Sequence, residues 1–288
     1  MSKILEKRQL TRETVLMKVE APLIANKALP GQFIIFRVEE GGERVPLTIA
    51  GVDPSEGSVT IIFQMVGKST MRLGAKEAGE SIADFVGPLG KPSELDPYKG
   101  KKVAVIGGGL GVAIAYPQAA YLHEIGAHVD VIAGYRSVDL IILEDELRSS
   151  SDNFYLITDD GSSGRKGFVT DMLKELLEQG KKYDLVIAIG PLVMMRAVAE
   201  MTRPYDIETV VSMNTIMVDG TGMCGCCRLT VGGKTKFACV DGPDFDAHEV
   251  DFEEAIRRSR AYVEQEDHDR KSEQERHRCR LTGEVRHE

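Results

Sequence analysis

The sequence is short of positive charge and has little cysteine outside one stretch. Its 288 residues include 45 Asp and Glu against 36 Lys and Arg, which gives a net charge of -9. A sequence-independent nucleic-acid binder needs a basic surface, so we expect no nucleic-acid partner. Four of the five cysteines lie within residues 224–239 and the fifth is Cys279. This distribution does not suggest a disulfide framework and fits a reducing cytoplasm.

An apolar targeting segment is also missing, because charges occupy the part of residues 1–8 where a signal peptide would be apolar. Residues 103–122 carry no charge and are long enough to resemble a membrane span. Glycines at 107, 108, 109 and 111 and a proline at 117 favour a strand, a turn and a helix instead. We therefore expect a cytoplasmic protein without a membrane span, and the length suggests two domains.

The densest group of candidate metal ligands is the stretch 219–227, DGTGMCGCC, followed by Cys239. Iron–sulfur clusters are held by thiolates on a loop that wraps closely around the inorganic core. Glycines between the ligands let backbone N–H groups approach that core. The stretch therefore favours an iron–sulfur cluster. Closely spaced cysteines also bind structural zinc, and that alternative stays open.

A hairpin is predicted to return the chain to this stretch. Residues 228–231 and 234–240 form two short strands around the Gly232-Gly233 turn. The turn brings Cys239 near Cys226 and Cys227. An ideal register would place Cys239 on the face of Cys226, but an irregular loop changes this, so register alone does not choose.

The first 98 residues predict a small antiparallel barrel, because short apolar or alternating runs are separated by turn signals. Two loops carry candidate anion-binding groups. Arg44 begins the first, RVPLTI, and a guanidinium pairs well with phosphate oxygens. The second, QMVGKST at 64–70, opens a predicted helix at 71–76 whose N-terminus can bind an anion. An ordinary surface arginine and an ordinary capped helix are the alternatives.

Residues 99–205 alternate strands and helices, which predicts a parallel sheet with its ligand at the carboxyl ends of the strands. The turn GGGLG at 107–111 follows the first strand and opens a helix. Such a turn lets a dinucleotide pyrophosphate meet helix N–H groups, although the spacing is not the usual Rossmann fingerprint. Met194 and Met195 lie on a later helix, where one of them is better interpreted as core packing.

These motifs together resemble the ferredoxin-NADP reductase superfamily. In the candidate cluster loop a leading ligand is followed by four residues, Cys224, two residues, Cys227, eleven residues and Cys239. This spacing resembles the [2Fe-2S] loop of the dihydroorotate dehydrogenase electron-transfer subunit, in which the leading ligand is Cys. It also resembles the loop of the small subunit of NADH-dependent ferredoxin:NADP oxidoreductase, which tolerates Asp at that position. The resemblance implies Asp219, Cys224, Cys227 and Cys239 as ligands, with Cys226 in place of Asp219 as the alternative.

The resemblance also implies the flavin and nucleotide contacts. The family arginine at Arg44 contacts the FAD pyrophosphate, and the hydroxyl at Thr48 bonds flavin N5, which makes Thr48 the candidate catalytic residue. The implied FAD-binding residues are Arg44, Pro46, Leu47, Thr48, Ile49, Gln64, Val66, Gly67, Lys68, Ser69 and Thr70. The implied NAD(H)-binding residues are Gly108, Gly109, Leu110, Gly111, Val112, Arg136, Asp159, Asp160, Gly161, Gly190, Met194 and Met195. NAD is favoured on resemblance, while Arg136 keeps NADP open.

The implied architecture is an antiparallel FAD-binding β-barrel at 1–98, a parallel-sheet α/β NAD(P)-binding domain at 99–205 and a small [2Fe-2S] lobe at 206–250. Residues 251–288 are predicted to form a helix and a charged tail. Such a tail is usually solvated or disordered, or else it reaches a partner subunit. Cys279 is most simply a free thiol.

A nicotinamide delivers two electrons as a hydride, a [2Fe-2S] centre passes one at a time, and a flavin can do both. We therefore hypothesise the small subunit of a heteromeric, electron-bifurcating flavoprotein that exchanges hydride between NAD(H) and FAD. Its cluster would serve a larger flavoprotein or iron–sulfur subunit and, indirectly, ferredoxin and NADP(H). The alternatives are a dihydroorotate dehydrogenase electron-transfer subunit and a zinc-holding regulatory module without redox activity.

Overall fold

The computed structural model describes the backbone of residues 1–282 and the side chains of residues 1–275, so the prediction for the Cys279 thiol lies outside the described side chains. The strands are β1 (Ser2–Gln9), β2 (Thr14–Glu20), β3 (Phe33–Arg37), β4 (Val45–Asp53), β5 (Ser58–Gln64), β6 (Ser81–Ile82), β7 (Asp84–Leu89), β8 (Lys102–Gly108), β9 (His128–Tyr135), β10 (Asn153–Thr158), β11 (Leu185–Ile189), β12 (Glu208–Ser212), β13 (Arg228–Val231), β14 (Lys234–Phe237) and β15 (Asp244–Asp246). The α-helices are α1 (Pro22–Ala25), α2 (Lys68–Gly74), α3 (Gly111–Glu124), α4 (Glu144–Ser149), α5 (Val169–Glu178), α6 (Leu192–Thr202), α7 (Ala238–Asp241), α8 (Phe252–Ser259) and α9 (Val263–Thr282). No helix in this described part combines the length and apolar character that a bilayer span requires.

The N-terminal strands form one antiparallel sheet in the order β6-β1-β2-β5-β4-β3-β7. Its two edge strands are separated in the chain by Ala83 alone, so the sheet must curve until its edges lie close together. The inward side chains, among them Met17, Phe36 and Phe63, are fully buried. The predicted antiparallel barrel is therefore confirmed.

The second sheet has the order β10-β9-β8-β11-β12-β15, with its first five strands parallel. Helices cover both faces and bury two apolar cores. The strand order reverses between β8 and β11, and in such sheets ligands bind beyond the strand ends at this reversal. The charge-free run forms β8, the glycine turn and α3, as predicted.

This sheet continues past the boundary predicted at residue 205, because β12 and β15 both belong to it. Between these two strands the chain leaves the sheet and forms the β13–β14 hairpin, which turns at Gly232 and Gly233 as predicted. The second hairpin strand ends at Phe237 and helix α7 follows, so Cys239 is on a short helix and not on the predicted strand. The carboxylate of Asp241, the last residue of that helix, accepts the Phe237 N–H at 2.8 Å.

Helix α2 begins at Lys68, three residues before the predicted start, because Gly67 is its N-cap and the Thr70 hydroxyl accepts the Gly67 N–H at 3.1 Å. Residues 264–275 of the charged tail are mostly exposed, the tail is helical as far as Thr282 and it contacts α2. The rest of the predicted tail lies outside the described residues. Two ion pairs join α2 to α9: Lys68 Nζ lies 3.1 Å from Asp269 Oδ2, and Arg72 Nη2 lies 2.9 Å from Glu273 Oε2.

Asp244 on β15 lies in a buried polar contact between the barrel linker and the second sheet. Its Oδ2 accepts the Ser93 hydroxyl at 2.5 Å and the Gln118 amide at 3.4 Å. Its Oδ1 and the Gln118 Oε1 are buried without a hydrogen-bond partner among the described residues. Burial raises the pKa of Asp244 above the usual 3.8, although the Ser93, Ser212 and Gln118 hydrogen bonds oppose this.

Replacing Asp244 with Asn should make stability less sensitive to pH. Because the folded-state pKa is raised, the contribution of this carboxyl is full below the usual pKa and is lost as pH rises through the folded value, by at most about 1.4 kcal/mol per pH unit. The unfolding free energy of Asp244→Asn relative to wild type, measured by urea denaturation, should therefore increase as the pH rises above the usual 3.8. A difference between Asp244→Asn and wild type that stays constant with pH would contradict the prediction.

Candidate functional site

The predicted flavin residues lie on neighbouring parts of the barrel. Pro46, Leu47 and Thr48 are half-buried on β4, opposite Ile35, Ile34 and Phe33 of β3. Gln64 ends β5, which pairs with β4, and residues 66–70 lead into the first turn of α2. The Ser69 hydroxyl donates to the Glu43 carboxylate, next to Arg44. The structure therefore brings the two predicted flavin loops together.

The glycine turn after β8 is packed closely against the start of α6. The Gly109 N–H donates to the Gly134 carbonyl at 2.8 Å, and Gly109 has a φ of 57°. A Cβ on Gly108 would lie 2.4 Å from Met194 Sδ, and a Cβ on Gly111 would lie 2.3 Å from the Ile189 carbonyl oxygen. Larger residues therefore cannot occupy this turn without displacing α6 or β11.

Several other predicted nucleotide residues lie close to this turn. Met194 contacts it and also packs near Gly190, whereas Met195 is fully buried in the core and does not reach the surface. Met195 is therefore the one of the two methionines that serves core packing. Leu110 precedes α3 and Val112 lies buried in its first turn.

The loops after β9 and β10 are joined to each other. The Asp160 N–H donates to the Arg136 carbonyl at 3.2 Å, and the Asp159 N–H donates to the Tyr135 carbonyl at 2.9 Å. The Ser162 hydroxyl and N–H lower the pKa of Asp160, which is therefore ionised at neutral pH. The Arg136 side chain is exposed beside the loop that carries Asp159 and Asp160. This loop turns at Gly161, which has a φ of 83°.

The predicted ligands are three thiols and one carboxylate, and the part of the loop around Asp219 lies against the barrel. Cys227 and Cys239 are buried, with their sulfur atoms 3.2 Å apart, whereas Cys224 is exposed. The Asp219 Oδ2 accepts the N–H of Thr221 at 2.9 Å and that of Met223 at 3.4 Å. Cys239 is thus beside Cys227, the thiol that the register argument did not favour.

The electrostatic surroundings differ among Asp219, Cys224, Cys226 and Cys239. The backbone N–H of Cys226 lowers the pKa of Cys224, while the hydrogen bond to Cys224 raises the pKa of the Cys226 thiol. Burial raises the pKa of Cys239 to about 12. The Thr221 hydroxyl lowers the pKa of Asp219, which stays ionised.

Three arginines donate to carbonyls of the cluster loop, and sequence patterns indicated none of these contacts. Arg44 donates to the Val218 carbonyl at 3.1 Å and to the Asp219 carbonyl at 3.4 Å. Arg228 donates to the Gly225 carbonyl at 3.2 Å, and Arg258 on α8 donates to the Cys226 carbonyl at 3.1 Å. The Arg44 and Arg258 contacts join residues far apart in the chain, so no local pattern could reveal them.

The loop fits an iron–sulfur cluster by its donors and by its backbone. Thiolates are the donors that such clusters use, and the glycines at 220, 222 and 225 all have positive φ, which favours glycine. A Cβ on Gly220 would lie 2.5 Å from Ile35 Cδ1, and one on Gly222 would lie 3.1 Å from Val240 Cγ2. Within residues 1–275, no three His, Cys, Asp or Glu side chains are grouped to hold a single metal ion.

Comparisons with known proteins agree with this assignment. Residues 214–251 match the family model of the iron–sulfur cluster binding domain of dihydroorotate dehydrogenase B. An uncharacterized protein of Clostridium beijerinckii is 52% identical, with 92% of each chain covered. A dihydroorotate dehydrogenase B (NAD(+)), electron transfer subunit homolog of Thermotoga maritima is 43% identical, covering 92% of this chain and 93% of the relative.

A solved structure is similar to this chain in fold as well as in sequence. A chain from the NADH-dependent reduced ferredoxin-NADP oxidoreductase, studied for flavin-based electron bifurcation, is 40% identical and has a TM-score of 0.89. The match covers 94% of this chain and 97% of that chain. The predicted ferredoxin-NADP reductase-like fold with a C-terminal iron–sulfur domain is therefore confirmed, and FAD and NAD(H) are the cofactors that this fold and domain support alongside the cluster.

The ligand set can be tested by single substitutions at the cysteines. Cys227→Ser and Cys239→Ser should each lower the iron and sulfide content several-fold, since these adjacent buried thiols cannot be replaced by a harder hydroxyl. Cys226→Ser should retain the cluster, and Asp219→Cys should shift the electron paramagnetic resonance signal of the reduced protein. Loss of the cluster in Cys226→Ser, together with an unchanged signal in Asp219→Cys, would instead make Cys226 the fourth ligand.

Proposed function

The chain belongs to the family of the dihydroorotate dehydrogenase B electron-transfer subunits, and we propose that it is the small subunit of an electron-bifurcating NADH-dependent ferredoxin:NADP oxidoreductase. In this role it exchanges hydride with NAD(H) and passes single electrons to a larger subunit. FAD converts between the two kinds of transfer, and the cluster carries the single electrons.

The observation that carries the proposal is the contact between the predicted flavin site and the cluster loop. Arg44, which begins the flavin motif, donates to the carbonyls of Val218 and Asp219. Gly220 lies against Ile35 and Leu89 of the barrel. The cluster loop therefore begins at the surface of the flavin-binding barrel, as a relay of electrons between the two requires.

The chain's own residues have distinct tasks in this proposal. The Arg44 guanidinium and the first turn of α2 hold the flavin pyrophosphate, because both present N–H donors to an anion. Thr48 presents a hydroxyl to the flavin N5 from β4. The glycine turn at 107–111 receives the dinucleotide pyrophosphate at the N-terminus of α3, and Met194 closes the turn on the side of α6.

The partner is proposed to bind at the exposed side of the cluster loop. Met223 is 87% exposed next to the exposed Cys224, and Val218 and Val240 are 46% and 40% exposed. A large apolar side chain that is held this far out on a short loop is typical of a contact surface. These exposed side chains support a binding site for the larger subunit at which it would receive electrons from the cluster.

The second candidate is the electron-transfer subunit of a dihydroorotate dehydrogenase. It is favoured by the match over residues 214–251 and by the named relatives. The carboxylate at Asp219 favours the first candidate, because the dihydroorotate dehydrogenase relatives are expected to have cysteine there.

Anaerobic purification of the native complex should give a yellow-brown protein with FAD, iron and sulfide on this chain. We expect NADH to reduce an artificial dye through the isolated chain faster than NADPH does. We also expect the second chain of the complex to couple NADPH oxidation to both NAD+ and ferredoxin reduction. A second chain that oxidises dihydroorotate would select the other candidate, and a protein with zinc but no flavin would reject both.

Replacing Met223 with Glu should weaken binding of the larger subunit at least about tenfold, because a charge would be buried at the interface. The dissociation constant can be measured by light scattering or calorimetry on the separated subunits. Leu23→Glu, at a side chain on α1 that is 80% exposed, is the matched control and should bind normally. Equal binding by the Met223 variant would place the partner elsewhere.

A further inference from the structure

Arg44 is the residue through which the barrel makes polar contact with the cluster loop. Its Nε lies 3.1 Å from the Val218 carbonyl oxygen, and one Nη lies 3.4 Å from that of Asp219. Among the described residues, these are the hydrogen bonds that join residues 214–227 to the barrel. The rest of this border is apolar, with Gly220 against Ile35 and Leu89.

The second half of the loop is held differently. Arg228 and Arg258 donate to the Gly225 and Cys226 carbonyls, and both arginines belong to the lobe and its following helix. The first half, which carries the Asp219 carboxylate, therefore depends on a side chain from another domain. Loss of Arg44 would leave two carbonyls without their partner at this border.

One guanidinium has five N–H donors in a fixed plane. Two of them are used by the loop, so others stay available to an anion such as a flavin pyrophosphate. Arg44 is half-buried and immediately precedes β4, whose pairing with β3 fixes its backbone. An anion bound to the free edge would restrict the side chain to one rotamer, and this would lower the entropy cost of holding the loop.

We propose that Arg44 couples the two cofactor sites, because the same side chain that binds the flavin pyrophosphate holds the first half of the cluster loop. This inference rests on the proposed function and adds a reciprocal effect. Bound flavin strengthens binding of the cluster, and the bound cluster strengthens flavin binding by the same factor, since linkage of binding free energies is symmetrical. We expect the tighter binding to slow loss of the cluster.

The test compares three variants of the full chain, purified without oxygen. The rate of cluster loss to an iron chelator is followed by visible absorbance, with flavin bound and after its removal. Arg44→Ala should lose the cluster about five to tenfold faster than wild type even without flavin, because one or two hydrogen bonds are lost. Added FAD should slow the loss in wild type and have no effect in this variant.

Two matched variants separate this effect from others. Arg37→Ala removes another barrel guanidinium, which pairs with Asp84, and should lose the cluster at the wild-type rate. Arg44→Lys, with its single ammonium group, should fall between Arg44→Ala and wild type.

The proposal is overturned if flavin-free Arg44→Ala loses the cluster at the wild-type rate, or if FAD protects Arg44→Ala as much as wild type. It is also overturned if Arg37→Ala accelerates the loss equally, since the effect would then reflect general destabilisation of the barrel. Failure of the proposed function has different signatures, because either the second chain of the complex would oxidise dihydroorotate or the wild-type chain would contain neither flavin nor iron and sulfide.

Discussion

The antiparallel pairing of β12 with β15 determines where the cluster lobe lies. Ser212 pairs with Asp244, so the chain between them leaves and re-enters the nucleotide sheet at one point. Asp244 then accepts hydrogen bonds from Ser93 and Gln118, which belong to the barrel linker and to α3. One short strand thereby joins the lobe, the sheet, the helix after the glycine turn and the barrel.

The cluster loop gathers positive charge in a chain whose net charge is -9. Guanidinium groups of Arg44, Arg228 and Arg258 all donate to its carbonyls. Positive charge near a redox centre favours its reduced form, and hydrogen bonds around the ligands tune its potential. The arginines therefore have an electrostatic influence on electron acceptance in addition to shaping the loop.

Local patterns were sufficient to predict the architecture. Alternation in residues such as Val15, Met17 and Val19 predicts a barrel strand, which the structure contains, because this signal arises within a few residues. The glycine turn after β8 and the candidate ligands of the cluster loop are also visible in the sequence, since each group lies within a short stretch, and their roles stay predictions.

Most differences from the predicted structure depend on partners distant in the chain. No pattern showed that β15, three residues long, would complete a sheet begun by β8. Met195 is buried, whereas a residue that contacts a ligand would be exposed. Its burial likewise follows from how α6 packs on the sheet. The position of Cys239 is an exception, because α7 has only four residues and its hydrogen bond from Phe237 to Asp241 is local. So short a helix leaves no periodic pattern that distinguishes it from the end of a strand.

The ion pairs between α9 and α2 join side chains 201 positions apart. Helix α9 thereby places two carboxylates beside the same turn of α2 that the resemblance assigns to an anionic cofactor. An anion that approaches this turn meets basic side chains that already have a counterion.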